Sequence, residues 1–357
     1  MSFYANEQQP KDSVRVRIAV EKTGEGGMVD YYPPSVIPFT GRDMVKGSTQ
    51  VTVTVPVMKK LRIVDHSPWE IWPYLPPQIN RNGTKESRGA DRPGYNPKRG
   101  FSVVVKDGSG SPMSIQQISI SAKYDTGSGG HGHTGFADTG GTIRAVKYPP
   151  DSLQGIFYTN RTGRNPLLLT TDASGMAAVD SFIASQASGR FLITARLVSD
   201  TTITDTVNLQ VKVPGLFDFG IGDYWNLTGN TSRQGRNHLS NHWCTQKMKD
   251  SLVSALRQFY EWTESEEGGG TAIQIGINDM CLQWGGAFDI PGTWKFSDEH
   301  SFHRVGLSVD IDNWPGDLRK SDGSLNDNGE QLKEIMDKRG GKKYKEPTIH
   351  FGFDGGI

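Results

Sequence analysis

Two runs near the start of the chain alternate apolar and polar positions. Val14-Arg15-Val16-Arg17-Ile18-Ala19-Val20 and Gln50-Val51-Thr52-Val53-Thr54-Val55-Pro56-Val57 keep a period of two and are rich in β-branched residues. Both predict strands. Lys59 to Val64 reads as an extension of the second strand past Pro56. Between Trp69 and Lys98 the chain is dominated by Pro, Gly, Asn and Arg, the composition of an irregular linker. Trp69, Trp72 and Tyr74 stand close together within it. They read either as a sugar-stacking platform or as packing that anchors the linker.

From 99 to 214 short alternating runs recur at the spacing of an all-β domain: Phe101–Val105, Gln117–Tyr124, Thr142–Tyr148, Leu167–Thr171, Arg190–Val198 and Thr206–Val213. Turns such as Lys106-Asp107-Gly108-Ser109-Gly110 and Asp172-Ala173-Ser174-Gly175 separate them. The pattern predicts an immunoglobulin-like β-sandwich. Val213-Pro214-Gly215-Leu216 closes it, because Pro and Gly stop the last strand. The predicted domains are therefore 1–98, a strand-bearing region and linker; 99–215, the sandwich; and 216–357.

In the last domain the period changes. Met248, Leu252, Leu256 and Phe259 or Tyr260 form one stripe at helical spacing within 241–264, ended by Gly268-Gly269-Gly270. Thr271 to Ile277 reads as a strand, Asn328 to Met336 as a second helix, and Thr348 to Phe353 as a closing strand. In that strand His350 and Gly352 face one way and Ile349, Phe351 and Phe353 the other.

Composition narrows the function classes. Lysine plus arginine equals aspartate plus glutamate at 39 each, which argues against a nucleic-acid partner or an anionic membrane surface. The 43 glycines and 19 prolines favour a β-rich, loop-rich protein. No apolar run approaches the roughly 18 residues of a membrane span. Met1 to Val14 lacks the apolar core of a signal peptide. Cys244 and Cys281 read either as a disulfide of an oxidising compartment or as two buried thiols.

The chemistry concentrates at the end of the chain. Ser301-Phe302-His303-Arg304-Val305-Gly306-Leu307-Ser308-Val309-Asp310-Ile311-Asp312 holds a histidine and a carboxylate with six residues between them. Glu346-Pro347-Thr348-Ile349-His350-Phe351-Gly352 follows. Two neutral imidazoles and a carboxylate are a common ligand set for catalytic zinc, and a further carboxylate nearby can move the proton of water. Fully extended, the first spacing would set His303 and Asp310 about 20 Å apart. Sharing a metal therefore requires a bend, and Gly306 is the natural place for it. Asp312 points either to the same site or to solvent. Two other histidine pairs are weaker. His131 and His133 sit in a glycine-rich stretch and read as a metal pair or as exposed loop residues. His238 and His242 are four apart but lack the Glu of a His-Glu-x-x-His helix, and read as helix-start residues.

The pattern Ser-x-His-x-x-Gly-x-x-x-Asp, followed by Glu and then His-aromatic, resembles the zinc D-Ala-D-Ala peptidase family. This family includes VanX and VanY type enzymes and phage L-Ala-D-Glu endolysins, and shares its fold with the Hedgehog signalling domain. The resemblance covers roughly the last third of the chain. It implies an α+β Hedgehog/DD-peptidase-like zinc domain with His303, Asp310 and His350 as ligands, Glu346 as general base, and Ser301 and Gly306 at small-residue positions. It further implies that Asn278, Asp279 and Gln283 wall a substrate cleft, where they hydrogen-bond a peptide or tie down their own loop. His300, three before His303, and Arg304 read as further substrate contacts. The family's upstream Ser-x-Tyr-Arg has no counterpart; the equivalent stretch reads Gly276-Ile277-Asn278-Asp279-Met280-Cys281. Peptidoglycan stem peptides are the implied substrate, and an extracellular, periplasmic, cell-surface or phage-particle location follows. Asp172-Ala173-Ser174-Gly175-Met176-Ala177 and Gly189-Arg190-Phe191-Leu192-Ile193-Thr194-Ala195 loosely resemble the repeated signature of bacterial surface Ig-like modules. A non-catalytic, zinc-stabilised surface or particle protein is the alternative expectation.

Overall fold

The computed structural model describes, with side chains, residues 59–64, 69–75, 94–125, 127–130, 165–229, 241–287, 303–313, 318–344 and 348–353. It describes by backbone alone the strands 3–5, 13–19, 50–56, 78–79, 85–86, 156–159 and 162–164, and residues 301–302. The predicted strand at Thr142–Tyr148 and the pair His131 and His133 lie outside the described residues, as does His238.

The two alternating runs at the start form strands β2 (Ser13–Ala19) and β3 (Gln50–Pro56), paired antiparallel, with β1 (Phe3–Ala5) on the free side of β2. The segment after Pro56 does not extend β3. It forms a separate strand, β4 (Lys60–Val64), in a different sheet. β5 (Glu70–Ile71) and a small hairpin, β6 (Gln78–Ile79) and β7 (Lys85–Glu86), follow.

The next strands are β8 (Lys98–Lys106), β9 (Gln117–Asp125), β10 (Ile156–Thr159), β11 (Thr162–Arg164), β12 (Leu167–Thr170), β13 (Met176–Ile183), β14 (Gly189–Leu197) and β15 (Thr204–Val211). They make two five-stranded sheets, ordered β11-β10-β13-β8-β4 and β12-β9-β14-β15-β5. The sandwich therefore draws β4 and β5 from ahead of the boundary at 98 expected from composition. Period-two alternation explains the packing: Phe101, Val103 and Val105 of one sheet and Ile118, Ile120, Phe191, Ile193, Ala195 and Leu197 of the other are buried in one core. Phe182 meets Phe191 across it, ring centroids 5.8 Å apart. β13 escaped the sequence reading because its inward residues begin with Ala177 and its register shifts between Val179 and Phe182. That bulge breaks the alternation a strand is recognised by.

Trp69 packs on Phe101 with the Arg99 guanidinium over its ring, and the buried Trp72 meets Tyr95 edge-on at 5.7 Å. Both tryptophans are thus taken up in packing.

The C-terminal body begins with β16 (Leu216–Asp218), β17 (Trp225–Leu227) and β18 (Trp243–Thr245). Helix α1 (Gln246–Glu264) starts later than the predicted 241, because Trp243–Thr245 pairs with Leu216–Asp218 as a strand. Thr245 then caps the helix, its Oγ1 accepting from the Met248 amide. β19 (Ile275–Ile277), β20 (Ser308–Asp312), α2 (Asp327–Lys338), β21 (Gly341–Lys343) and β22 (Ile349–Phe353) complete it, the sheet running β17-β19-β20-β22-β21. Met248, Leu252, Leu256 and Phe259 of α1 and Leu332, Ile335 and Met336 of α2 share one buried cluster with Ile275, Ile277, Val309, Ile311, Ile349, Phe351 and Phe353. The helices therefore cover one face of this sheet. No helix among the described residues is long and apolar enough to cross a membrane.

The two bodies meet through a buried loop. Residues 184–188, between β13 and β14, are all buried. Ala187 bridges to Gly286, the Ala287 amide donates to the Gln186 carbonyl at 2.8 Å, and Ser188 Oγ donates to the Gly285 carbonyl at 2.6 Å. A small apolar cluster of Trp72, Leu75, Val213 and Val305 lies alongside. Gly286 has φ +77°, and a Cβ there would sit 2.7 Å from the Ser188 amide nitrogen and 2.8 Å from the Gln186 carbonyl oxygen. Gly286→Ala is therefore expected to destabilise the full chain by about 2–4 kcal/mol, combining left-handed strain with backbone overlap. Denaturant unfolding followed by tryptophan fluorescence measures it.

Candidate metal centre

Three side chains far apart in the chain converge on the sheet face that the helices leave uncovered. Alternation along β20 sends Val309 and Ile311 to the helices and Asp310 to the opposite side. β22 repeats this, with Ile349 and Phe351 toward the helices and His350 away. The antiparallel register sets Asp310 directly opposite His350. Such cross-strand partners hold their Cβ atoms about 5 Å apart. His350 Nδ1 lies 3.7 Å from Asp310 Oδ1.

His303 arrives from a 3-10 turn, Ser301–Arg304, rather than from a strand. The chain then bends at Gly306, where φ is +70°. A Cβ there would lie 2.5 Å from Leu216 Cδ2 and 2.9 Å from Cys244 Cα, so both conformation and space demand glycine. The Gly306 carbonyl accepts from the Thr245 amide at 3.0 Å, tying the bend to the cap of α1. His303 Nε2 is thereby placed 3.5 Å from Asp310 Oδ2, and the His303 and His350 rings stack at 4.9 Å. One ligand atom from each of the three residues lies within 4.8 Å of the others. All three are nearly enclosed, His303 1%, Asp310 7% and His350 2% exposed.

Burial by itself pushes the His303 imidazole down, but the adjacent Asp310 carboxylate, with help from Asp279 and the Met280 carbonyl, carries it above the usual histidine value. The His242 ring is held below its usual value by burial, against the pull of the Ile277 and Thr228 carbonyls near its Nε2. Cys244 and Cys281 are free and buried, and burial raises the Cys244 thiol to about 12. Of the two sequence alternatives for the cysteines, the structure has the buried thiols.

The remaining residues singled out from sequence have various places. Asn278 and Asp279 bracket Asp310: the Asn278 amide donates to the Asp310 carbonyl, and the Asp310 amide donates to the Asp279 carbonyl, both at 2.8 Å. Asn278 Nδ2 also donates to Asp312 Oδ1 at 3.2 Å, and Asp279 Oδ1 accepts from Asn241 Nδ2. These contacts hold the loop and the ligand strand. Gln283 is exposed, its backbone against Gly130 of the sandwich. Arg304 is buried and its Nη1 donates to Gln186 Oε1 at 2.7 Å. Ser301 is described by backbone only; His300 and Glu346 lie outside the described residues. Tyr344 was not anticipated: its ring lies 4.8 Å from that of His350, and its amide donates to the His350 carbonyl at 2.8 Å. The pairing of Gly341–Lys343 with β22 brings it there. Recognising that short hairpin after the second helix would have located it.

No family model matches the chain. No curated protein matches it either. Among solved structures, one similar chain is described as "Structure of Yersinia pseudotuberculosis adhesin InvE", with 11% identity over 73% of this chain and 72% of that chain, and a TM-score of 0.28. A likeness that slight does not bear on the fold or function of this protein.

The donor set itself fits a divalent cation. Two imidazoles and a carboxylate converge in an enclosed site, the borderline and hard ligands that zinc accepts. The ligands must shed protons to bind, and His303 holds its proton above the ordinary value. Affinity for a divalent cation is therefore expected to fall as the pH drops through the raised His303 pKa, with proton release on binding at that pH. Without metal the sign reverses. The protonated His303–Asp310 pair stabilises the fold below histidine's unfolded pKa, and that contribution is lost as the pH rises through the raised value. Calorimetric zinc titrations and chelator-treated unfolding curves across pH 5–9 measure the two trends. His350→Ala is expected to cut affinity for a divalent cation by about two orders of magnitude, roughly one ligand's share of a site.

Proposed function

We propose that the chain is a zinc-dependent peptidase acting on peptide bonds, with peptidoglycan stem peptides as its substrate class. The convergence of His303, Asp310 and His350 on the sheet face away from α1 and α2 carries this reading. That arrangement is what the resemblance of the His303–Asp310 and Glu346–His350 stretches to the zinc D-Ala-D-Ala peptidases implies. In this reading 216–357 is a Hedgehog/DD-peptidase-type domain, and the sandwich ahead of it is an Ig-like carrier that places it at a wall or particle surface.

Zinc held by the three ligands supplies carbonyl polarisation and a lowered pKa for water. Asp310, opposite His350 and beside His303, would supply the one anionic ligand and offset part of the cation's charge, the two imidazoles being neutral. Glu346 precedes His350 by four positions. As general base it takes a proton from the attacking water and delivers it to the departing amine, so that the water oxygen ends on the acyl carbon and the C–N bond is broken.

Two observations favour the alternative, a zinc-stabilised binding or structural protein. Arg304, a basic side chain next to the ligands, is buried against Gln186. The family's carbonyl-polarising arginine also has no counterpart in the stretch Gly276–Cys281. The two readings separate on one variant. Glu346→Gln is expected to keep stoichiometric zinc while hydrolysis falls by about 10²–10⁴-fold, the usual contribution of a positioned base. Metal analysis and mass spectrometry of digested peptidoglycan provide the readouts. Zinc binding with no hydrolysis in the parent chain would leave the binding protein.

A further inference from the structure

We propose that Gln186, a residue of the sandwich, is a positioning residue for the metal centre of the other body. It acts through Arg304 on the neighbouring ligand His303. The proposal rests on the metal-site reading above and deepens it, since it makes the sandwich part of the site's support.

His303 sits in an isolated 3-10 turn of four residues. Such a turn has poor hydrogen-bond geometry and little stability of its own, so its neighbours fix its orientation. The residue after His303 is gripped at both ends. The Arg304 guanidinium donates through Nη1 to Gln186 Oε1 at 2.7 Å, and the Arg304 carbonyl accepts from the Gly286 amide at 2.8 Å. Gln186 is 4% and Arg304 6% exposed. The bond is therefore charge-assisted and shielded from water, which makes it strong and costly to break. The second grip leads back to the same residue, because the Gln186 carbonyl accepts from the Ala287 amide at 2.8 Å. The next residue, Val305, is packed with Trp72, Leu75 and Val213. Three consecutive positions thus carry the ligand and both of its fastenings to the sandwich side.

Removing the Gln186 acceptor takes a charge-assisted bond from the buried guanidinium. The turn is the short, weak element that can yield. A small rotation there carries His303 Nε2 away from Asp310, since their separation is already 3.5 Å. Groups that hold a metal ligand in its orientation typically change metal affinity by about tenfold or more.

The test uses the full chain with three substitutions and cobalt(II), whose visible absorption reports ligand geometry. Gln186→Leu removes the acceptor at similar size; Gln186→Glu keeps it. The Leu variant is expected to bind cobalt about tenfold more weakly with an altered absorption band, and the Glu variant to restore both. Parent-like affinity and spectrum in Gln186→Leu would overturn the proposal. Unfolding in chelator checks that the sandwich is intact. If the Leu variant unfolds, Gln186→Asn, shorter by one methylene, carries the same test: weakened binding supports the proposal, and parent-like binding overturns it. If the parent chain takes up neither cobalt nor zinc, the metal reading itself fails, and the proposal fails with it before any variant is made.

Discussion

Strand parity in the C-terminal sheet is the constraint on which the site depends. Val309, Ile311, Ile349, Phe351 and Phe353 must face the two helices, because together with the helix stripes they make the core of this body. Once they do, Asp310 and His350 have no choice of side. The antiparallel register then sets the two directly across from each other. A slip of one residue in either strand would drive a carboxylate or an imidazole into the helix-packed core and expose aromatic side chains on the other face. The placement of two ligands is therefore inherited from hydrophobic burial, and the polar residues need no device of their own to meet.

The third ligand obeys a different logic. His303 comes from a turn, and a turn has no alternating core face to hold it. Its position is assembled from outside: the positive φ of Gly306, the tie from the Gly306 carbonyl to the Thr245 amide, and the fastenings of Arg304 and Val305. Around Asp310 the support is denser. The main chain of Asn278 and Asp279 brackets it, and Asp279 is itself held by Asn241. A carboxylate buried among two imidazoles raises the basicity of at least His303, which is the electrostatic state a cation would replace. Site and fold thus share residues, so that changes at Asn278 or Asp279 act on the geometry of the His303–Asp310–His350 cluster through the backbone of β20.

What could be read beforehand follows from the range of the interactions. Period-two runs such as Val14–Val20 and Phe101–Val105, the apolar stripe of α1 and the face of β22 are local patterns, and they were legible within the strands Ser13–Ala19 and Lys98–Lys106 and their neighbours. The need for a bend at Gly306 was also legible, because the rise of a strand alone forbids His303 and Asp310 from meeting without one. The bulged β13 was not, since its alternation fails at Val179–Phe182. Nor was the departure of β4 from β3, because pairing partners are chosen by long-range packing that no local pattern encodes. The setting of Arg304 was hidden for the same reason: its partner Gln186 is 118 positions away. Tyr344 stood between, close in sequence to His350 but placed there only by a hairpin of three residues a side.

The contact between the two bodies sets how independent they can be. A buried loop is tolerable only if its backbone groups are paired. Residues 184–188 and 284–287 satisfy each other: the Ala287 amide with the Gln186 carbonyl, the Ser188 hydroxyl with the Gly285 carbonyl, and the Tyr124 hydroxyl anchoring the Ser188 carbonyl from the sandwich side. Separating the bodies would leave these groups to water and uncover Trp72, Val213 and Val305 as well. The glycines at 285 and 286 allow the backbones to approach so closely that few other residues could stand there. An arrangement of this kind behaves as one folded unit rather than as domains on a tether. Whatever fixes the loop at 184–188 therefore also fixes the turn that carries His303.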